Sequence, residues 1–178
     1  GDFTFYFVGA FKFEDIEPLV EKYIGSLPGN GSKETWKDDG LTRPKDKFVK
    51  NVYKGKEYKS RISYQYYGEY NYNYKNNVLL AALSDVMNNR LREVIREDKG
   101  GTYGAYVRVS PIKIPKEQYM VSIGWGCSPD RVDELSADVE NIIKELQEKQ
   151  LNNSYIQKFQ ESSKRSRETN KRQNYWWL

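Results

Sequence analysis

The chain has 178 residues, of which 38% are hydrophobic and 30% charged, and its formal net charge is +4. This balance is typical of a globular domain with a sizeable core, and it excludes an intrinsically disordered chain. The chain contains no histidine, only one cysteine (Cys127) and no run of 18 apolar residues, which excludes histidine-dependent catalysis, an internal disulfide and a membrane-spanning helix.

The first part of the chain predicts a strand, a helix and a second pair of strands. Residues 3–9 are aromatic and β-branched, which favours a strand at the centre of a sheet. A helix follows, because apolar residues recur on one helical face: Ile16, Leu19, Val20, Tyr23 and Ile24. After a polar connector over 29–46, residues 48–53 and 60–67 predict two strands joined through 54–56.

The middle of the chain predicts a long helix and an antiparallel hairpin. Asparagines over 73–77 are N-cap candidates, and the helix is expected to end near Asp98, with a turn at Gly100-Gly101. Its expected buried stripe is Leu79, Leu83, Val86, Met87, Leu91, Val94 and Ile95. Residues 102–110 and 117–126 alternate as strands do, and Pro111 and Pro115 bracket the predicted turn between them.

Two helices complete the predicted order. Ser128-Pro129 is typical of a helix start, and the expected buried face of this helix is Val132, Leu135, Val139, Ile142 and Leu146. A last helix, polar nearly all round, is expected from about Ser154. The order β-α-β-β-α-β-β-α-α predicts an α+β sandwich, with helices on one face of a largely antiparallel sheet. Residues 1–178 are expected to form a single domain, and Cys127 is expected to be a small buried or half-buried residue at a strand end.

The segment 91–104 has the most suggestive chemistry. Arg96 lies in the last predicted turn of the long helix and Tyr103 begins the next strand, so both are expected at the same end of the sheet. A guanidinium fork and a phenol are hydrogen-bond donors that suit a peptide carbonyl or a developing oxyanion. The alternative interpretation is that Arg96 caps helix carbonyls and Tyr103 belongs to the core.

This segment resembles the metal-free C-terminal-half domain of the pitrilysin/insulinase family of zinc metallopeptidases, the inverzincins. In that family a long helix ends in Leu-Arg-Glu or a close variant, followed by a glycine turn and a Tyr-Gly strand. Here residues 95–97 and 103–104 match, with the family's seven-residue step from Arg96 to Tyr103. The opening, Val8-Gly9 and a helix before Leu27-Pro28, is similar to the family's first unit.

The resemblance implies the LuxS/MPP-like metallohydrolase fold and a role beside a catalytic partner. Zinc is then expected in the N-terminal half of a parent protein, with no cofactor and no catalytic residue in this chain. Arg96 and Tyr103 would bind the carbonyl of a peptide substrate in a chamber that the two halves share. The family's domain has helices before its first strand, so this chain is expected to be a truncated, later part of that domain, inactive by itself.

Two alternatives stay open at this stage. The chain could be an inactive scaffold subunit that keeps only the fold of the peptidase. A single-stranded nucleic-acid binder would use exposed sheet aromatics and basic residues, but the low net charge disfavours it and no nucleic-acid partner is expected. A lone cysteine is compatible with cytoplasm, periplasm or secretion, so the location stays unknown. A periplasmic or other envelope location of the parent protein is one of the open alternatives.

Overall fold

The structure is a computed structural model and describes residues 3–98 (96–98 by backbone alone), 102, 104–150 and 152–178. Its helices are α1 (Phe13–Val20), α2 (Tyr74–Leu91), α3 (Val132–Glu148) and α4 (Asn153–Asn170). Its strands are β1 (Ser60–Glu69), β2 (Gly104–Ile112) and β3 (Gln118–Cys127). Helix α1 continues as a π-helix over Glu21–Gly25 and α2 over Arg92–Asp98, and short 3₁₀ turns cover Pro129–Arg131 and Asn174–Trp176.

The residues form two compact units, Gly1–Leu41 with Ser162–Leu178 and Thr42–Glu161. The larger unit holds the sheet, which has the strand order β1-β3-β2 and is antiparallel throughout. The predicted α+β architecture with an antiparallel sheet is therefore confirmed, and so is the hairpin of β2 and β3. The single domain expected over residues 1–178 stays a prediction.

The core lies on one face of this sheet. Every second residue of β3 points into the core, and Trp125 at 1% and Ile123 at 0% exposure are among the most enclosed core residues. Helix α3 covers them with the face that the sequence predicts, since Leu135, Val139 and Ile142 are buried. Cys127 ends β3 and is fully buried, and this burial raises the pKa of its thiol. The prediction of a buried cysteine at a strand end is confirmed.

The predicted buried stripe of helix α2 is confirmed at Val86, Met87, Leu91 and Ile95, and the prediction is wrong nearer the start of the helix. Leu79 is 57% exposed, whereas its neighbour Leu80 is buried. The inward stripe continues from Leu80 through two polar residues, Ser84 and Asn88, before it reaches Leu91. An apolar pattern could not have assigned Ser84 and Asn88 to this face, because both side chains are polar. The start of α2 follows the prediction, with the Asn73 side chain accepting a hydrogen bond from the backbone N–H of Asn76 at 2.9 Å.

The polar residues of α2 form hydrogen bonds with backbone groups on the outer edge of β2. The side chain of Asn88 accepts a hydrogen bond from the N–H of Val107 (2.8 Å) and donates to its carbonyl oxygen (2.9 Å). The hydroxyl of Ser84 donates to the same carbonyl at 3.3 Å. Strand β2 is an edge strand of the described sheet, and unpaired edge groups are costly when buried and promote unwanted pairing. Asn88 therefore takes the place of a neighbouring strand at this position.

Two predicted strands and one predicted turn residue are wrong. Residues 3–9 and 48–53 are not strands, and Phe3 (82% exposed) and Tyr53 (90% exposed) show how little they pack. Aromatic and β-branched residues form a strand only against a partner, and no backbone group of the described residues pairs with either segment. Pro111 lies inside β2 instead of at its end. It is tolerated there because, like Val107, its backbone nitrogen faces away from β3.

We expect Asn88→Ala to destabilise the protein by about 1–3 kcal/mol, because it leaves two buried backbone groups of Val107 without partners. Urea denaturation would measure the loss as a lower midpoint with an unchanged m-value. Asn141→Ala is the matched control, since Asn141 is exposed on α3 and its removal should cost less than about 0.5 kcal/mol. Equal midpoints for the two variants would show that the edge of β2 does not need this amide.

Candidate functional site

An open trough lies at one end of the sheet, where β1 and β2 begin and β3 ends. It has a volume of about 430 Å³ and is lined by residues 59–61, 104–106, 125 and 126. The strand register explains this set, because Gly126 is paired with Arg61 on one side and with Gly104 on the other. All three lie in one row across the three strands. They belong to the sheet face opposite the core.

Glycines create the empty space of the trough. A Cβ atom on Gly104 would meet no described atom within 4 Å, and one on Gly126 would meet only the carbonyl oxygen of Ser60, at 3.7 Å. One row further along, the ring of Tyr106 lies across Gly124, where a Cβ atom would come within 2.5 Å of it. Gly124 is therefore needed for Tyr106 to lie flat. The result is a floor of bare backbone that ends against the Tyr106 ring.

The charge around the trough is positive. Arg61 is exposed beside the two glycines, and no carboxylate of the described residues pairs with it. The guanidinium of Arg108 stacks on the Tyr106 ring, 4.9 Å from its centroid. Lys59 also lines the trough, but its ammonium group pairs with Glu57 at 2.7 Å. An exposed guanidinium without a carboxylate keeps its donors available for an oxygen ligand.

The predicted pair of donors lies in the segment that leads into this end of the sheet. The backbone of Arg96 belongs to the π-helix Arg92–Asp98, but its side chain, the Gly100-Gly101 turn and Tyr103 are outside the described residues. The segment is anchored on both sides. Ile95 is fully buried in the core, and the hydroxyl of Thr102 donates to the carbonyl of Gly126 at 2.7 Å. That Arg96 and Tyr103 meet at one site stays a prediction.

A polar network holds the π-helix against the neighbouring helices. Glu93, inside the π-helix, accepts hydrogen bonds from Arg90 of α2 (3.0 Å) and from the hydroxyl of Tyr155 of α4 (2.7 Å). Arg90 also donates to Glu145 of α3 at 3.0 Å. Burial by itself would raise the pKa of Glu93, but the hydrogen bonds from Tyr155 and Arg90 outweigh it and lower that pKa. A π-turn is an uncommon conformation that often occurs at functional sites.

Sequence reasoning missed both the trough and this network. The signals were present but weak: Arg90 and Glu93 stand at the i,i+3 spacing of a helical ion pair, and glycines inside strands often mark a close approach. The sequence also contains a cluster of tyrosines over 64–74, for which a peptide-binding surface and packing of the sheet and its edge are the two interpretations. Tyr64 and Tyr70 pack against the core, Tyr64 edge-on to Trp125 at 5.2 Å, as the packing interpretation predicts.

No group of three or more histidine, cysteine, aspartate or glutamate side chains that could hold a metal ion is found among the described residues. The described helices also include none that is long and apolar enough to cross a membrane.

We expect Glu93→Gln to destabilise the protein by about 0.5–1 kcal/mol near neutral pH, because the network loses its charged acceptor. The lowered pKa means that the stabilising effect of Glu93 is present above the ordinary value of 4.5 and is lost as the pH falls through the folded-state pKa. Urea denaturation at a series of pH values should therefore show the variant approaching the wild type in acid. Glu148→Gln, an exposed change on α3, should have no such pH-dependent effect, and a constant difference for Glu93→Gln would contradict the assignment.

Comparison with known proteins identifies the family of the chain. The family model described as the peptidase M16 inactive domain matches residues 1–162. The probable zinc protease PqqL of Haemophilus influenzae is 20% identical over 158 residues, which are 88% of this chain and 17% of that protein. The chain thus spans less than a fifth of the length of this relative.

Two solved structures share the fold. The crystal structure of the periplasmic protease PqqL from Escherichia coli matches 95% of this chain and 19% of its own, with a TM-score of 0.77 and 21% identity. A mutant of the ferredoxin protease FusC, in complex with Arabidopsis ferredoxin, matches 64% of this chain and 12% of its own, with a TM-score of 0.55 and 16% identity. The chain belongs to the peptidase M16 family as an inactive domain, which confirms its resemblance to the pitrilysin/insulinase zinc metallopeptidases.

Proposed function

We propose that this chain is the substrate-binding, chamber-completing and non-catalytic domain of a zinc metalloendopeptidase that hydrolyses peptides. The observation that carries the proposal is the match to the inactive peptidase domain over residues 1–162, together with an open trough whose lining includes Gly104, the residue that follows Tyr103 in the chain. The partner is the N-terminal catalytic half of the same parent protein. The fold of the larger unit is then the LuxS/MPP-like fold of these peptidases.

Zinc does not belong in this chain. The sequence has no histidine, and the described residues provide no other cluster of metal ligands. The zinc of the parent protein is therefore assigned to its N-terminal half, and the residues here act only on the peptide. Their part is to bind and orient the substrate.

Arg96 and Tyr103 are the residues assigned to the substrate carbonyl. The fork of Arg96 and the hydroxyl of Tyr103 are donors that would share one carbonyl oxygen of the peptide. Hydrogen bonds of this kind strengthen when the oxygen gains negative charge, so they favour the transition state over the bound substrate. The anchors at Ile95 and Thr102 and the network at Glu93 support the segment from both ends, which lowers the cost of ordering it around a substrate.

We expect Arg96→Ala or Tyr103→Phe, in the full-length parent protein, to lower kcat/KM for peptide hydrolysis by about 100-fold, the cost of losing one donor to an oxyanion. Zinc content, measured on the same samples, should not change. Arg92→Ala is the matched control, because Arg92 is exposed and lies one turn earlier in the same π-helix. Its turnover should equal that of the wild type.

Wild-type turnover in both site variants would overturn the assignment of these residues. A parent protein that hydrolyses no peptide and lacks a His-x-x-Glu-His motif would instead favour the inactive scaffold.

A further inference from the structure

The sheet face opposite the core carries a site that the roles of Arg96 and Tyr103 do not use. From its geometry we propose that the trough binds an acidic side chain of an extended peptide, with Arg61 as the residue that recognises the carboxylate. This inference rests on the proposed function, because it supposes that peptides reach this face. It adds a preference for the substrate class: peptides with an internal glutamate or aspartate.

The shape of the trough suits one side chain of a peptide that continues past it. Its floor is bare backbone at Gly104 and Gly126, so a ligand approaches the sheet without displacing any side chain. Its volume of about 430 Å³ exceeds the space of a single side chain, and the trough is open to solvent. Because the trough is open, a bound peptide can continue past it in both directions. This favours an internal acidic side chain as the ligand over the carboxylate at a peptide C-terminus, where the chain ends.

The charges make a carboxylate the fitting ligand. Arg61 stands in the same row as the two glycines and has no carboxylate partner among the described residues. Two other arginines of the larger unit, Arg90 and Arg131, are each paired with a glutamate at 3.0 Å. The fork of a free arginine matches the two oxygens of a carboxylate, and bidentate pairs of this kind are among the stronger hydrogen bonds in proteins.

Tyr106 and Arg108 complete the recognition. The Tyr106 ring closes the trough above Gly124 of the central strand, which is one strand spacing across and one row along from Arg61, or roughly 8 Å between backbone positions. This leaves room for the stem of a glutamate between the ring and Arg61. The flat position of the ring depends on Gly124. The guanidinium of Arg108 lies 4.9 Å from the centroid of the ring and adds a second positive charge near the trough. The acid nearest in the chain, Glu57, pairs with Lys59 and leaves Arg61 without competition.

The test compares binding of short peptides that differ only in one central residue, glutamate or glutamine, and that have amidated C-termini. A third peptide has the central glutamine and a free C-terminal carboxylate. Fluorescence anisotropy would measure the Kd of each labelled peptide for the full-length protein, with metal removed by a chelator so that no peptide is cleaved. The glutamate peptide is expected to bind about fivefold more tightly than the glutamine peptide, since exposed ion pairs contribute up to about 1 kcal/mol.

Arg61→Met should abolish this preference, and Lys144→Met is the control, because Lys144 is an exposed cation on α3. Gly104→Val fills the floor without changing any charge, and it should weaken binding of both amidated peptides. The strand position accepts valine, since a Cβ atom there meets no described neighbour. A thermal melt of each variant checks that it is folded.

Three results would overturn the inference. The first is equal affinity of the wild type for the two amidated peptides. The second is a variant without the expected effect. This means either a glutamate preference that remains in Arg61→Met, or affinities for the two amidated peptides that remain unchanged in Gly104→Val. The third is tighter binding of the peptide with the free C-terminus alone, which would assign Arg61 to a terminal carboxylate. All of these results are binding measurements and none depends on turnover. The activity assay can therefore contradict the assignment of Arg96 and Tyr103 without affecting the inference about the trough, and the reverse also holds.

Discussion

Burial of apolar side chains on one face of a three-stranded sheet organises the larger unit. Trp125, Ile123 and Val107 are covered by helices, and the removal of this surface from water is the main favourable contribution to folding. Helices α2 and α3 contribute to this core, and the opposite face of the sheet carries polar and glycine residues at the end where the trough lies. The trough exists for that reason: Gly104 and Gly126 need to fill no core, so they leave the backbone of the sheet open to a ligand.

Helix α2 links this core to the candidate site. At its middle, Asn88 bonds to both backbone groups of Val107 and closes the edge of β2. At its end, the helix widens into the π-helix Arg92–Asp98, which Glu93 ties to Arg90 and Tyr155. Helix α2 thus bonds to the edge of the sheet and continues into the backbone of the π-helix that includes Arg96. Such support matters for the proposed role of the domain, in which Arg96 and Tyr103 place hydrogen-bond donors for a substrate.

The elements that sequence reasoning placed correctly are those whose residues alternate or recur with a period that burial imposes. Strand β3 and helix α3 are the clearest cases, and both bury the predicted faces. The failures have a common physical cause. Residues 3–9 and 48–53 have the composition of strands, but a strand is stable only when another backbone completes its hydrogen bonds. In α2 the stripe is correct from Val86 onward, and only Leu79 and Leu83 are wrong, because the inward positions near them are Leu80 and the polar Ser84, which hydrogen-bonds to β2.

The sequence by itself determined the α+β class, the family and the absence of any histidine chemistry, since composition, periodicity and the Arg96 to Tyr103 step are local properties of the chain. It also predicted Cys127 as a buried residue at a strand end. Only the tertiary structure decided which arginine lies beside a glycine floor and which is neutralised by a glutamate. The residue type alone does not distinguish Arg61 from Arg90. In the folded chain Arg61 lines the trough, whereas Arg90 forms ion pairs with Glu93 and Glu145. The i,i+3 spacing of Arg90 and Glu93 is only a weak local signal of this difference. The contact of Arg90 with Glu145 and the pairing of Arg61 with Gly126 join residues far apart in the chain, so no local pattern records them.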